Sequence, residues 1–349
     1  MAYSLDAIRT PEVAEFLPRR VFPRIDVSPA YGLEQKEEIF VRAALIRQFG
    51  PPSVIVVADV PQPTPAKGEV LVRISAAGVG PWDALIREGE VASAPTVPVI
   101  LGSDLSGVVE QIGAGVSNFK PGDEVFGVAN KEFTSGYAEF AAAPAGVLAP
   151  KPAKLDFIAA ASAPVVAVTA WQMLFDYAHA VAGQKVLVHG AAGSLGSYAV
   201  QLAKNAGLHV IATASARDAE YVRSLGAEKV VDYRTTRFED GLTAVDIVID
   251  TQGGEVRERS LSVLSPTGIL VSAHSPIPDD IARRYGNRAV FFIVDVTTER
   301  LNKIRELFDA GKLRADVGTV LPLDQARAAH EMLAGAPHNR GKIVLKIAP

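Results

Sequence analysis

The chain has 349 residues, enough for two domains of ordinary size, and its 35 Lys+Arg against 39 Asp+Glu leave a formal charge of −4. That balance argues against a protein that grips nucleic acid through a basic face. The sequence holds no cysteine, which excludes disulfides, thiolate nucleophiles, iron–sulfur clusters and cysteine-ligated zinc.

In chain order, residues 1–39 read as an extension: Pro11, Pro18, Pro23 and Pro29 break any long helix. It is either a plain surface arm or one that covers a cleft or a neighbouring subunit. Asp6, Glu12 and Glu15, with no apolar stretch between them, argue against a secretory leader and leave a cytoplasmic location as the expectation. From Phe40 the texture is strand and turn. Residues Phe40–Ile46 and Glu69–Ile74 read as strands, with Pro61, Pro63, Pro65 and Gly68 between them. Recurrent glycines from Gly102 to Gly127 then cut the chain into short runs, the pattern of a compact antiparallel domain or partly open barrel.

Residues 157–175 carry no charge and are long enough to raise a membrane helix. They are alanine-rich and include Pro164, Ser162, Thr169 and Gln172, so a buried segment is expected and no membrane span. Beyond residue 165 short apolar strands alternate with helices. Strands are predicted at 185–189, 209–214, 229–231, 245–250 and 268–272, with helices at 194–206 and 218–225, the signature of a doubly wound parallel sheet. A helix over 301–310 and a strand over 342–347 close the chain.

The sharpest motif is His189-Gly190-Ala191-Ala192-Gly193-Ser194-Leu195-Gly196, set between a strand and a helix. Glycines there let backbone N–H groups approach a pyrophosphate, and the helix N-terminus favours the anion. Gly190, Ala191, Gly193, Ser194, Leu195 and Gly196 are therefore the candidate cofactor cradle. The spacing is G-x-x-G-x-x-G, which leaves open which dinucleotide family is bound but not whether phosphate can be held. At the end of the second strand, where an NAD site usually carries an acid, the chain reads Thr213-Ala214-Ser215-Ala216-Arg217. Ser215 can donate to a 2′-phosphate and Arg217 can pair with it, so NADPH is the expected cofactor. A solvated arginine opening the next helix is the plainer role for Arg217. Asp218, adjacent, is read as a first-turn acid that suits the helix dipole.

Taken together, the two halves resemble the zinc-independent branch of the medium-chain dehydrogenase/reductase superfamily, and more narrowly the quinone oxidoreductases and the related enone and alkenal reductases. The resemblance runs from about Phe40 to Ile347. It rests on Gly78-Val79-Gly80-Pro81-Trp82-Asp83, on Leu101–Val109, on Gly122–Gly127, on Gly136–Phe140, on the glycine loop and on Gly341–Leu345, all in order. It implies an α/β fold: a GroES-like β-barrel domain plus a Rossmann doubly wound parallel-sheet domain. The barrel domain would comprise residues 40–164 and 298–349, the Rossmann domain 165–297. Zinc-bearing relatives place Cys and Gly-His-Glu where this chain has Pro81 and Gly102-Ser103-Asp104, so no metal is expected. Matched residue by residue, Thr169 falls near the nicotinamide and Tyr233 near the 2′-phosphate; by themselves they would pass as a helix residue and a strand-end aromatic. The Asn and Tyr that the family often has at Gly80 and near Leu85 are missing. Residues 288–296 fall where the family's last Rossmann strand pairs with its twin, which implies a homodimer.

The chemistry implied is hydride transfer from NADPH to a small-molecule quinone or enone, acceptors whose developing charge is already delocalised. Trp82 and Asp83 are the candidate substrate-pocket residues, although Trp82 also fits ordinary packing and Asp83 a turn. Tyr137 is a candidate proton donor, set against the plainer role of a core tyrosine. Two other readings stand: an enoyl-thioester reductase serving acyl chains, and an NADPH-binding sensor without turnover.

Overall fold

The computed structural model describes residues 38–91 and 94–347. The proline-bearing extension thus lies outside the described residues except for positions 38 and 39. The first strand, β1 (Phe40–Ile46), pairs antiparallel with β2 (Val56–Pro61). The eleven-residue β3 (Glu69–Val79) is the centre of the barrel and is buried along most of its length. Helix α1 (Pro81–Glu88) follows at once, and β4 (Val99–Ile100) returns to the end of β1. The barrel continues with β5 (Asp104–Ile112), β6 (Glu124–Val128), β7 (Phe140–Pro144) and β8 (Leu148–Pro150).

The uncharged stretch is folded as α2 (Phe157–Ala161), α3 (Pro164–Trp171) and a wide π turn over Gln172–Tyr177. None of the helices among the described residues is long and apolar enough to cross a membrane. Parallel strands and helices then alternate: β9 (Lys185–Val188), α4 (Ser194–Asn205), β10 (His209–Ala214), α5 (Ala219–Ser224) and β11 (Lys229–Asp232). Next come β12 (Val245–Asp250), α6 (Gly254–Leu261), β13 (Leu264–Ser272), α7 (Asp279–Tyr285) and β14 (Ala289–Phe291). The chain ends with α8 (Thr298–Asp309), β15 (Val317–Pro322), α9 (Ala326–Leu333) and β16 (Lys342–Lys346).

The parallel sheet has the order β11-β10-β9-β12-β13-β14, and the barrel sheet the order β15-β16-β3-β5-β6-β8. On one edge β3 is shared, with Glu69–Arg73 pairing with β7 and Ala76–Val79 with β16. The last strand of the chain therefore completes the first sheet. One apolar cluster runs from Ile46 and Val79 through Ala167 and Val168 of α3 to Val186 and Val210 in the parallel sheet. The α3 residues facing it are small, which lets α3 seat closely against α4 and join the two halves. This is a GroES-like barrel joined to a Rossmann-type parallel sheet.

Strands β3 and β13 are longer than the sequence suggests, and three further elements differ from its reading. The helix expected at 218–225 opens with a 3-10 turn over Ala216–Asp218, so α5 is shorter. The last long helix begins earlier, at Thr298, because the Thr297 hydroxyl accepts from the Arg300 N–H at 3.3 Å. Of residues 288–296, only Ala289–Phe291 lie in the sheet. The rest peels away because Gln172 Oε1 accepts from the Asp295 N–H at 2.9 Å, and Tyr177 stacks on Phe292 at 4.4 Å between centroids.

Candidate active site

β9 delivers the chain into the glycine loop, which is tied down from beneath. The Ala191 N–H donates to the Thr213 carbonyl at 3.1 Å, and the Thr251 hydroxyl donates to the His189 carbonyl at 2.9 Å. His189 is buried, with Nδ1 at 3.1 Å from Thr213 Oγ1 and Nε2 at 2.8 Å from Ser260 Oγ. Burial pushes its pKa down to about 4, so it is a neutral strut beneath the loop. With the underside engaged, the first-turn N–H groups of α4 have no helical acceptors and are left for a ligand. At Gly196 a Cβ would lie 2.3 Å from the Gly190 carbonyl oxygen and 2.8 Å from Ala191 Cα. Only glycine lets the helix sit this close to the loop. These residues fit the pyrophosphate of a dinucleotide.

A cleft of about 790 Å³ opens from this loop toward the barrel. Trp82, Thr169, Gly190, Gly193, Ser194, Leu195 and Gly196 all lie along it, so the structure brings most of the expected cofactor residues to one place. Trp82 meets Phe133 edge to face, 5.6 Å between centroids, on one wall, and Phe291 with the peeled segment Phe292–Val294 forms another. Thr169 donates to the Val165 carbonyl at 2.7 Å and keeps its lone pairs free.

Asp83 and Tyr137 are placed differently. Neighbouring helix residues point about 100° apart, so when Trp82 faces the cleft, Asp83 faces the barrel interior. Asp83 is 1% exposed and its Oδ2 accepts from the Gly80 N–H at 2.8 Å and the Tyr137 hydroxyl at 2.9 Å. Tyr137 is wholly buried, its ring filling the space that a side chain at Gly102 (φ +90°) would need. Neither is among the residues lining the cleft. Burial pushes the Asp83 carboxyl up to about 7, outweighing the Gly80, Lys342 and Tyr137 contacts that lower it. Because this pKa is raised on folding, Asp83 costs stability progressively as pH rises from the ordinary carboxylate value toward 7. Asp83→Asn is expected to remove that dependence. Its unfolding free energy relative to wild type should rise by about 2–3 kcal/mol between pH 5 and pH 8. Urea titrations at several pH values measure this, and a constant difference would contradict it.

Ser215, Arg217 and Tyr233 lie at the ends of β10 and β11, beside the loop strand β9 in the sheet. Arg217 is 87% exposed and Tyr233 58% exposed. Ser215 is already engaged, donating to Asp218 Oδ2 at 2.7 Å.

Three contributors were not singled out from the sequence. Lys342, noted only as part of a signature, borders the cleft and a recess beside Gly193 and Ser194. Its Nζ lies 3.1 Å from Asp104 Oδ2. Arg340, one residue outside that signature, reaches Asp218 Oδ1 at 2.7 Å across 122 positions of sequence. Arg257 is buried against Asp250 at 2.8 Å, and its other donors hold Ser272, Ser275 and Pro276. It thereby fixes the two loops that carry Thr251, Gln252 and His274 to the cleft. A buried arginine amid serines carries no periodic signal, which is why a linear reading passes over it.

Residues 66–153 match the alcohol dehydrogenase GroES-like domain family, and residues 225–345 the zinc-binding dehydrogenase family. The residues here do not fit a zinc ion. Asp104 is taken by Lys342 and, at 2.8 Å, by the Val165 N–H, and no cluster of His, Asp or Glu suited to a metal occurs among the described residues. The chain is 31% identical over 322 residues to a quinone oxidoreductase of Pongo abelii, covering 87% of this chain and 97% of that one. It is 36% identical over 298 residues to the spectinabilin polyketide synthase system protein NorB of Streptomyces orinoci, covering 81% of this chain and 13% of that one. The solved quinone oxidoreductase of Coxiella burnetii superposes with a TM-score of 0.82 at 35% identity, covering 89% of this chain and all of that one. A barrel, a Rossmann-type sheet, a glycine loop opening on an apolar cleft and these relatives converge: the chain belongs to the medium-chain dehydrogenase/reductase superfamily, as a quinone-oxidoreductase-like oxidoreductase.

Proposed function

We propose that the protein uses NADPH, without metal, to reduce a quinone or the activated C=C bond of an α,β-unsaturated carbonyl. The observation that carries this reading is the single cleft that joins the Gly190–Gly196 loop to the aromatic wall of Trp82 and Phe133. When bound, the reduced nicotinamide supplies a hydride.

The chain's own residues then bind and orient. The α4 N-terminus and Lys342 take the pyrophosphate, while Ser215, Arg217 and Tyr233 take the 2′-phosphate. Thr169, which lines the cleft, would meet the nicotinamide. Trp82 and Phe133 offer flat apolar surface to a ring or enone and keep water from the reacting face. Charge that develops on the acceptor is delocalised, so positioning suffices and protons come from solvent.

The test is loss of NADPH absorbance against benzoquinone, phenanthrenequinone, butenone, hexenal and crotonyl-CoA, with NADH alongside. Turnover of quinones or enones that prefers NADPH is expected. In Arg217→Ala the preference should fall about tenfold, the worth of one charge-assisted contact. NADPH binding without turnover of any acceptor would replace this reading with that of a sensor. The likeness to NorB, whose name places it in a polyketide synthase system, favours an enoyl-thioester reductase as the second reading. Turnover confined to crotonyl-CoA would establish it.

A further inference from the structure

The 3-10 turn that follows β10 holds a carboxylate, Asp218, beside the residues proposed above for the 2′-phosphate. Asp218 accepts from the Ser215 hydroxyl through Oδ2 and from Arg340 Nη1 through Oδ1, both at 2.7 Å. Arg217 stands off at 3.9 Å from the same Oδ1. Arg340 is itself held in place, its guanidinium lying 3.9 Å from the centre of the Tyr221 ring. Tyr221 in turn donates to Asp316 Oδ2 at 2.5 Å, and Arg314 Nε pairs with Asp316 Oδ1 at 3.1 Å. Arg314 and Asp316 thus neutralise each other and pin the aromatic platform. Arg340 and Ser215 point at one anion, and Asp218 is that anion.

We propose that Asp218 is a built-in competitor for the 2′-phosphate. NADP(H) enters by displacing the Asp218 carboxylate from Ser215 and Arg340, while NAD(H) presents its ribose 2′-hydroxyl to the same carboxylate. This rests on the nicotinamide-dinucleotide reading and adds a specificity-determining pair to it.

The physical argument is one of occupancy and sign. A phosphate carrying nearly two negative charges and a carboxylate cannot share two donors, so one must leave. Although partial burial raises its pKa, the Ser215 and Arg340 hydrogen bonds and the Arg217 charge outweigh that and hold Asp218 below the ordinary carboxylate range. It therefore competes as a full charge at neutral pH. A ribose hydroxyl asks for no displacement, since it donates to a carboxylate oxygen as the acid of an NAD site does. Removing the charge should favour one cofactor and disfavour the other. Removing Arg340 should do the reverse.

Calorimetric titration of NADPH and NADH into wild type, Asp218→Asn and Arg340→Gln provides the test. Asp218→Asn keeps an acceptor for Ser215 and should bind NADPH about tenfold tighter and NADH several-fold weaker. Arg340→Gln should weaken NADPH at least tenfold more than NADH. A purely structural role for the pair would lower the melting temperature of both variants and shift both cofactors by the same factor, which overturns the proposal. Equal NADPH affinity in wild type and Asp218→Asn also overturns it. If wild type binds neither dinucleotide, the nicotinamide reading fails and takes this inference with it, an outcome distinct from binding without a change in preference.

Discussion

Gly196→Ala is expected to weaken dinucleotide binding about 100-fold or more while leaving the sheets folded. The added Cβ would meet the Gly190 carbonyl oxygen at 2.3 Å and Ala191 Cα at 2.8 Å. Both are backbone atoms, so neither can swing aside as a side-chain tip would. α4 must instead withdraw from the loop, and its first-turn N–H groups withdraw with it. A displacement near 1 Å is enough to spoil several charge-assisted hydrogen bonds together, and two such bonds account for a 100-fold loss. The cost to folding is smaller, about 1–3 kcal/mol for overpacking, partly offset by alanine's better helix propensity. Calorimetric titration of NADPH beside a far-ultraviolet dichroism spectrum separates the two effects. NADPH affinity within twofold of wild type would remove the glycine loop as the phosphate cradle.

Arg257→Leu should be the most destabilising single change at the site, at about 3–5 kcal/mol. Asp250 is completely buried; its Oδ1 accepts from the Gln252 and Gly253 N–H groups and its Oδ2 from Arg257. Burial by itself would raise the Asp250 pKa, but Arg257 and those N–H groups outweigh it and hold the carboxyl below its ordinary value. The pair therefore stabilises the fold above the ordinary carboxylate pKa, and that contribution is lost as pH falls through the lowered value. Without Arg257 the carboxylate is a buried charge with no counter-ion, and the Ser275 and Pro276 carbonyls lose their donors. The deficit should shrink in acid, where Asp250 takes up a proton. Asp250→Asn in the Arg257→Leu background should recover part of the loss. Urea denaturation of wild type and the two variants measures these differences, and a loss in Arg257→Leu below about 1 kcal/mol would contradict the account.

How much of this was legible in the sequence follows from how far apart the cooperating residues lie. The glycine loop was readable because one local stretch both turns the chain and opens a helix. The parallel strands were readable because buried strands are continuous β-branched runs. Trp82 and Asp83 are both candidate pocket residues in the sequence, yet a helix sends adjacent side chains to different surfaces. Tyr137 carried the residue type of a proton donor, but its burial follows from Gly102, thirty-five positions earlier, having no side chain. The engagement of Ser215 by Asp218 depends on a short 3-10 turn that precedes α5 and ends at Asp218. Arg340 could not be paired with Asp218 at all from spacing, since the contact spans the return of the chain to the barrel.

That return has a consequence for how the protein comes into being. β16 lies between β15 and β3; it opens with Lys342, and Arg340 stands two residues before it. On a ribosome, the residues of β3 emerge long before its last sheet partner, β16, exists. Until Lys346 has left the exit tunnel, the edge of β3 along Ala76–Val79 stays open to pairing with another chain. The parallel sheet, whose strands all lie between residues 185 and 291, has no such wait. Synthesis thus delivers a finished parallel sheet next to an unfinished barrel. Closure of the barrel and arrival of Arg340 and Lys342, the two cations that the proposed phosphate site needs, are a single late event, so a nascent or C-terminally clipped chain loses both together.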